Sequence, residues 1–475
     1  MGWFGFERRF ERQLIGLSVD WFVGCLAALL FVGSGVVVAE DKGEGLREAV
    51  YMEEVAKAKG LIEAGADVNG ANRYGVTALS LACQNGNVAL VKALLEAGAD
   101  ANGALLGGET VLMTAARTGE PRVLRALLGS GAEVDATERK GQTALMWAAA
   151  EGNVEAVKVL LDAGAKADRE VGSGFTAMLF AARAGHIGVV EVLLAAGVDV
   201  NVVAKAGGSR GGKALPKGSS ALRVAVENGH FDLAKVLLEA GADADDARSG
   251  YAPLHVLTWV RKPNRGDGPD GMPPPEGTGE LRSLEFARLL VEDYGADVDL
   301  RLRENAPWGA KFGTDGATPF LMAARKADLA YLKLLEEMGA DVSAADDDGT
   351  TAFLLVSGVE SRVPEEEAGT ETERLAVLDW LAKRGIDVNE ANEKKETAMH
   401  GAAYKNVPKV VRWLADHEAD VAVWNRENSR GWTPLLIAQG FRPGNFKPDA
   451  ATIEAIENVM REAGVEPPPA PERTR

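Results

Sequence analysis

The residues Gly207-Gly208-Ser209-Arg210-Gly211-Gly212-Lys213 fit the spacing G-x-x-x-x-G-K of a phosphate-cradling loop, in which backbone N–H groups and a Lys hold the phosphate oxygens. Ala214 stands where that loop needs a hydroxyl for magnesium, and Leu215-Pro216 follows where a helix must begin. The match is therefore read as a glycine-rich loop. Five histidines, at 186, 230, 255, 400 and 417, are scattered over separate stretches, whereas a metal site needs convergent ligands. With only Cys25 and Cys83, no disulfide framework, zinc knuckle or C-x-x-C pair can be built, and Cys83 reads as a buried thiol acting as a small hydrophobe. Asp346-Asp347-Asp348 and Glu365-Glu366-Glu367 offer oxygen ligands for a weak calcium site but lack the EF-hand pattern, and solvated turns are the simpler reading. No Ser/His/Asp or Cys/His arrangement stands out by spacing. The expectation is a protein that is not an enzyme, with no cofactor and no metal.

Composition says what positions these residues. Gly accounts for 55 of 475 residues and aromatics for 6%, against a usual Gly content of ~7%. Because 46% of the residues are apolar, the chain has surface to bury against its conformational entropy, and it must do so with small aliphatic side chains. The net charge of −18 disfavours tight nucleic-acid binding, which needs clustered Lys and Arg.

The elements repeat. Thr77-Ala78-Leu79, Thr110-Val111-Leu112, Thr143-Ala144-Leu145 and Thr176-Ala177-Met178 are each 33 residues apart. A second column, Gly65-Ala66-Asp67, Gly98-Ala99-Asp100, Gly131-Ala132-Glu133, Gly164-Ala165-Lys166 and Gly197-Val198-Asp199, recurs in step at the same 33-residue interval. Within one unit, Thr77 is placed to cap a helix N-terminus, worth about 1 kcal/mol. Leu79, Leu81 and Ala82 give a short helix one apolar face, and Asn85-Gly86 breaks it. Val88, Val91, Leu94 and Leu95 form a second stripe at helical spacing, and Gly98 follows where a left-handed C-cap is expected. The unit is a helical hairpin followed by an extended finger, and neither helix can bury its face without stacking on a neighbour.

These columns resemble the ankyrin repeat family, most closely at APLHVL (252 to 257), TPFLMAA (318 to 324), TAMHGAA (397 to 403) and TPLLIA (433 to 438). The resemblance implies an all-α ankyrin-repeat solenoid of stacked helix-turn-helix units with hairpin fingers, spanning about residues 45 to 466. Gly-type columns at 65, 98, 131, 164, 197, 241, 295, 339, 385, 418 and 464 count eleven units, with capping units at the ends. The family's His after Leu survives only as His255 and His400, which loosens a local hydrogen-bond network. His186 and His230 occupy a Gly-His packing position between helices. Glu418 replaces a capping Gly, which predicts a strained or frayed helix end.

Regular repeats are expected over 45–204, and repeats with insertions over 205–466. Longer fingers fall before the units at Ser220 and Thr318, and longer inter-helix links fall within 259–280, around 361–373 and around 440–449. A Pro-rich disordered tail occupies 467–475. Residues 1–39 read as an export signal, with Arg8, Arg9 and Arg12 before an uncharged run at 21–38 and small or β-branched residues Val37-Val38-Ala39 at a cleavage-type site. The segment is either cleaved there or kept as a membrane anchor, in which case membrane contact is confined to residues 14–38. Either way the positive-inside rule puts the repeats beyond the cytoplasmic membrane, periplasmic or secreted, and the compact signal points to a bacterium.

In this family's architecture the finger tips and the exposed ends of the inner helices line a concave groove. Carried over by column, the first units present Arg73, Tyr74, Gln84 and Asn85, then Glu109, Arg117 and Thr118, then Arg139, Lys140, Gln142 and Glu151, then Phe175 and Arg183. Arg and aromatic residues are the types enriched at interface hot spots. Trp308, with Phe312 in the long finger, is a further candidate anchor, while Trp147 and Phe180 read as inner-helix packing. The expected function is a monomeric, non-enzymatic scaffold that binds a protein partner by its concave face. The alternatives are an enzyme or enzyme subunit with a site formed by the insertions, and a membrane-tethered spacer.

Overall fold

The structure is a computed structural model that describes residues 43–205, 214–264, 274–302, 315–361, 364, 367–442 and 447–471. The segment 1–39, the glycine-rich loop up to Lys213, Glu365, Glu366 and the finger carrying Trp308 and Phe312 lie outside the described residues. Two compact units are present: one runs to Ala148 and takes back Glu155–Ala165, and the other holds Ala149–Val154 and the chain from Lys166 onward.

The described helices are α1 (Glu44–Tyr51), α2 (Val55–Glu63), α3 (Ala78–Gln84), α4 (Val88–Glu96), α5 (Val111–Thr118), α6 (Pro121–Gly129), α7 (Ala144–Glu151) and α8 (Val154–Asp162). They continue as α9 (Ala177–Ala184), α10 (Ile187–Ala195), α11 (Ala221–Glu227), α12 (Phe231–Glu239), α13 (Pro253–Arg261), α14 (Ser283–Glu292), α15 (Pro319–Arg325) and α16 (Leu329–Glu337). The last are α17 (Ala352–Ser357), α18 (Glu371–Ala382), α19 (Ala398–Lys405), α20 (Pro408–Asp416), α21 (Val421–Trp424), α22 (Pro434–Ala438) and α23 (Ala450–Glu462). Apart from the one-turn α21, they pair into hairpins, one for each Gly-type column. Within each unit inner helix packs on inner helix, as α3 on α5 and α17 on α19, and outer on outer, as α4 on α6 and α20 on α23. Leu79, Leu90, Leu94, Leu112, Leu124 and Leu127 are buried between the layers of the first unit. No strand is present among the described residues, and isolated bridges such as Ala104 to Thr110 and Ala391 to Thr397 close the fingers. The all-α solenoid expected from the repeat is what forms.

The caps follow from the residue types. The Thr77 side chain accepts from Ser80 N at 3.1 Å, and Ser80 Oγ accepts from Thr77 N at 3.0 Å. His400 fills the Ser80 position in α19, its Nδ1 accepting from Thr397 N at 3.2 Å, whereas Met113 offers only its sulfur to Thr110 N at 3.5 Å. His255 takes the same place in α13, where burial pushes its pKa down to about 4. Gly98 and Gly131 adopt the left-handed φ of a C-cap, +90° and +87°. Glu418 is forced to +67° at the equivalent place, a conformation that strains any residue with a Cβ, as the sequence predicts.

The inter-helix insertions lie down on the hairpin turns of the second unit. Thr278 N and Thr278 Oγ both sit 3.0 Å from His230 Nδ1, and Glu280 N donates to Asp232 at 2.6 Å. Arg374 donates to the carbonyls of Val356 at 2.7 Å and Ala368 at 3.1 Å. Lys405 Nζ donates to the carbonyls of Pro364 at 2.6 Å and Glu367 at 3.2 Å, and Lys326 donates to Asn264. Burial pushes both lysines down to about 7 and Glu360 up to about 7. Carbonyl acceptors serve a protonated and a neutral amine alike, which is how cations can sit this deep.

Candidate protein-binding surface

In the N-terminal unit the sequence-derived candidates fall into two rows. The first row is the finger tips, brought side by side because each finger hydrogen-bonds to the next. Arg139 N donates to Gly107 O at 3.1 Å, and the Arg139 guanidinium donates to Leu106 O at 3.1 Å. Gly75 suits this stack, since its φ of +80° strains any residue with a Cβ, and a Cβ there would stand a tight 3.2 Å from Leu106 N. The exposed side chains of the row are Arg73, Tyr74, Leu106, Arg139 and Lys140. Arg73 lies over the Tyr74 ring, 4.7 Å from its centroid.

The second row is the C-terminal ends of the inner helices. Asn85 Nδ2 donates to Val50 O at 3.4 Å, and Thr118 Oγ donates to Gln84 O at 3.2 Å. These bonds align Tyr51-Met52, Gln84-Asn85 and Arg117-Thr118 along the stack, 33 residues apart in each case. One inner helix separates the rows, about 10 Å for seven residues at 1.5 Å each. In the second row, Arg117 stands 5.3 Å from the centroid of the buried Trp147 ring. Glu109 is 3.8 Å from Arg117 and accepts from Thr114 Oγ at 3.2 Å, yet desolvation outweighs both and raises its pKa. Gln142 N donates to Glu138 Oε1 at 3.0 Å, shaping the third finger.

Four large hydrophobic side chains stand exposed among the described residues: Leu106 at 69%, Met52 at 56%, Tyr51 at 52% and Tyr74 at 40%. All four belong to these two rows. Sequence reasoning had only Tyr74. Leu106 sits one period after Arg73, and Tyr51 and Met52 one period before Gln84 and Asn85, so extending the same column arithmetic finds them. Choosing candidates by charge and aromaticity passes over Leu and Met.

The remaining candidates sit on the second unit. Glu151 is exposed and Arg183 half-buried. Phe175 is 4% exposed because Arg183 covers it, 4.6 Å from the ring centroid, and Phe180 stacks beneath at 4.8 Å. Of these two candidates the ring is buried, and the cation lying over it is half-buried, its pKa lowered by burial. Trp147 and Phe180 are buried, as their packing role requires. His186 and His230 are also packing groups, with Nε2 of each 3.0 Å from a backbone carbonyl, Ala150 O and Arg183 O respectively. Cys83 is buried, and burial pushes its thiol up.

A family model described as ankyrin repeats (3 copies) matches residues 46–138, 112–204 and 369–446, and one described as ankyrin repeat matches 217–250. Among solved structures, the chain is similar to the human ASB11 ankyrin repeat domain. The two are 26% identical, the match covers 44% of this chain and 89% of that one, and the TM-score is 0.40. The matched stretches skip 251–368, where α13 to α17 nonetheless form the same hairpins around long insertions. Ankyrin repeats are protein-interaction modules, and with the family models together covering more than half of its residues, this chain belongs to the ankyrin repeat family.

Proposed function

We propose that this protein is a non-enzymatic scaffold that captures a protein partner in the groove between the finger tips and the inner-helix ends of its N-terminal unit. One observation carries the reading: the large exposed hydrophobic side chains of the described residues gather on that groove, and an exposed apolar patch rimmed by polar groups marks an interaction site. The protein works as a monomer, on the far side of the cytoplasmic membrane, on the strength of the N-terminal segment read above.

The test is affinity isolation of the partner from the exported fraction, run in parallel with Leu106→Asp and with the double charge reversal Arg117→Glu/Arg139→Glu. Leu106 is mostly exposed, so its replacement leaves the fold intact, and circular dichroism checks this. Burying one Leu side chain is worth roughly 1.5–3 kcal/mol, so capture by Leu106→Asp should weaken by at least about tenfold. Undiminished capture by both variants would move the binding site off this groove. N-terminal sequencing of the mature protein reads the export proposal separately, with Glu40 as the first residue if the signal is cleaved.

A further inference from the structure

Resting on the groove reading above, we infer that the partner presents an extended segment in which one apolar side chain is flanked on both sides by carboxylates. The finger row has an apolar centre, Tyr74 and Leu106, between cations at each end, Arg73 on one side and Arg139 with Lys140 on the other. That sign is the opposite of the bulk charge of −18. The neighbouring carboxylates are engaged: Glu109 with Arg117 and Thr114, and Glu138 with the backbone of its own finger. At the other row, Glu53 and Glu54 stand beside Met52, with Lys57 bridging to Glu54 at 2.7 Å. Acidic groups of the partner are therefore drawn to the fingers.

Spacing sets the register. Packed neighbouring helices lie about 8–10 Å apart, and an extended chain advances about 3.3 Å per residue. Successive fingers therefore meet every third residue of the partner: carboxylate, two residues, apolar, two residues, carboxylate.

A library of random twelve-residue peptides displayed on phage is selected on the full-length protein and counter-selected on Leu106→Asp. The expected result is enrichment of that seven-residue pattern. Replacing either carboxylate of an enriched peptide by its amide should weaken binding severalfold, and 0.5 M salt should do the same. The Arg139→Glu/Lys140→Glu variant should lose these peptides and select basic residues at the corresponding position. If peptides distinguish wild type from Leu106→Asp but are basic or uncharged, the acidic inference is overturned while the groove stands as the binding site. If no peptide distinguishes the two proteins, this inference falls as well, and the partner capture described above then decides the groove reading by itself.

Discussion

Replacing Asp245 and Asp299 by Asn should stabilise the C-terminal unit, and by an amount that depends on pH. In the N-terminal unit Asn102 ties its finger to the next from both directions: Oδ1 accepts from Glu133 N at 2.8 Å and Nδ2 donates to Gly131 O at 3.0 Å. Asn69 does the same with Asp100 N at 2.8 Å and Gly98 O at 3.0 Å. Asp299 performs only half of this, its two oxygens accepting from Asp341 N at 3.0 and 3.1 Å, and Asp245 repeats that geometry with Asp297 N. A carboxylate has no proton to give the carbonyls of Gly339 and Gly295, which stand where Gly131 stands.

One net hydrogen bond is worth about 0.5–1.5 kcal/mol. These sites are half-exposed, so the lower half of the range applies, about 1–2 kcal/mol for the double variant. Burial first, and then the neighbouring acids, raise the pKa of both Asp245 and Asp299. The folded state therefore holds these protons more tightly than the unfolded chain. The stability they confer is present at low pH and is lost as pH rises through the raised folded value. A protonated carboxyl can also donate as the Asn amide does. The advantage of Asn should thus be largest at pH 7 and should shrink toward pH 4. Urea unfolding followed by circular dichroism at the two pH values measures it. No gain at pH 7, or an equal gain at both, would refute the reasoning.

Glu418→Gly should stabilise by about 1 kcal/mol, because the residue sits at φ +67° and a left-handed conformation costs roughly that much with a Cβ; an unchanged urea midpoint would contradict it. Lys326 and Lys405, pushed down to about 7 by burial, bind fewer protons folded than unfolded between pH 7 and about 10. Stability of the C-terminal unit should therefore rise across that window, and the rise should flatten in Lys405→Met. In a Cys25→Ser protein, the buried Cys83 should resist a thiol-reactive disulfide reagent in buffer and react fully in urea, and rapid native labelling would contradict its burial.

The hairpins were legible because 33-residue columns of Thr caps and Gly turns leave few ways to fold. The departure at Glu418 was legible for the same reason, since the column says which backbone conformation the residue must adopt. The pinning of the insertions by Lys326, Arg374 and Lys405 was not, because their partners are mainly backbone carbonyls of irregular segments that have no period. Nor was the burial of Phe175, one of two candidates named together, beneath Arg183: how two such side chains stack depends on χ angles and on the next helix. The proposed groove was half legible. Its columns were found by arithmetic, but Tyr51, Met52 and Leu106 became candidates only once their exposure was known, since a Leu or Met in a repeat is by default core.

The most direct measurement is hydrogen–deuterium exchange of the full-length protein with and without its captured partner. Partner binding is predicted to slow exchange in the finger tips around Arg73-Tyr74, Leu106 and Arg139-Lys140 and at the helix ends around Tyr51-Met52 and Arg117-Thr118. Protection confined to the inter-helix insertions or the outer helices, with these five segments unchanged, would contradict the account.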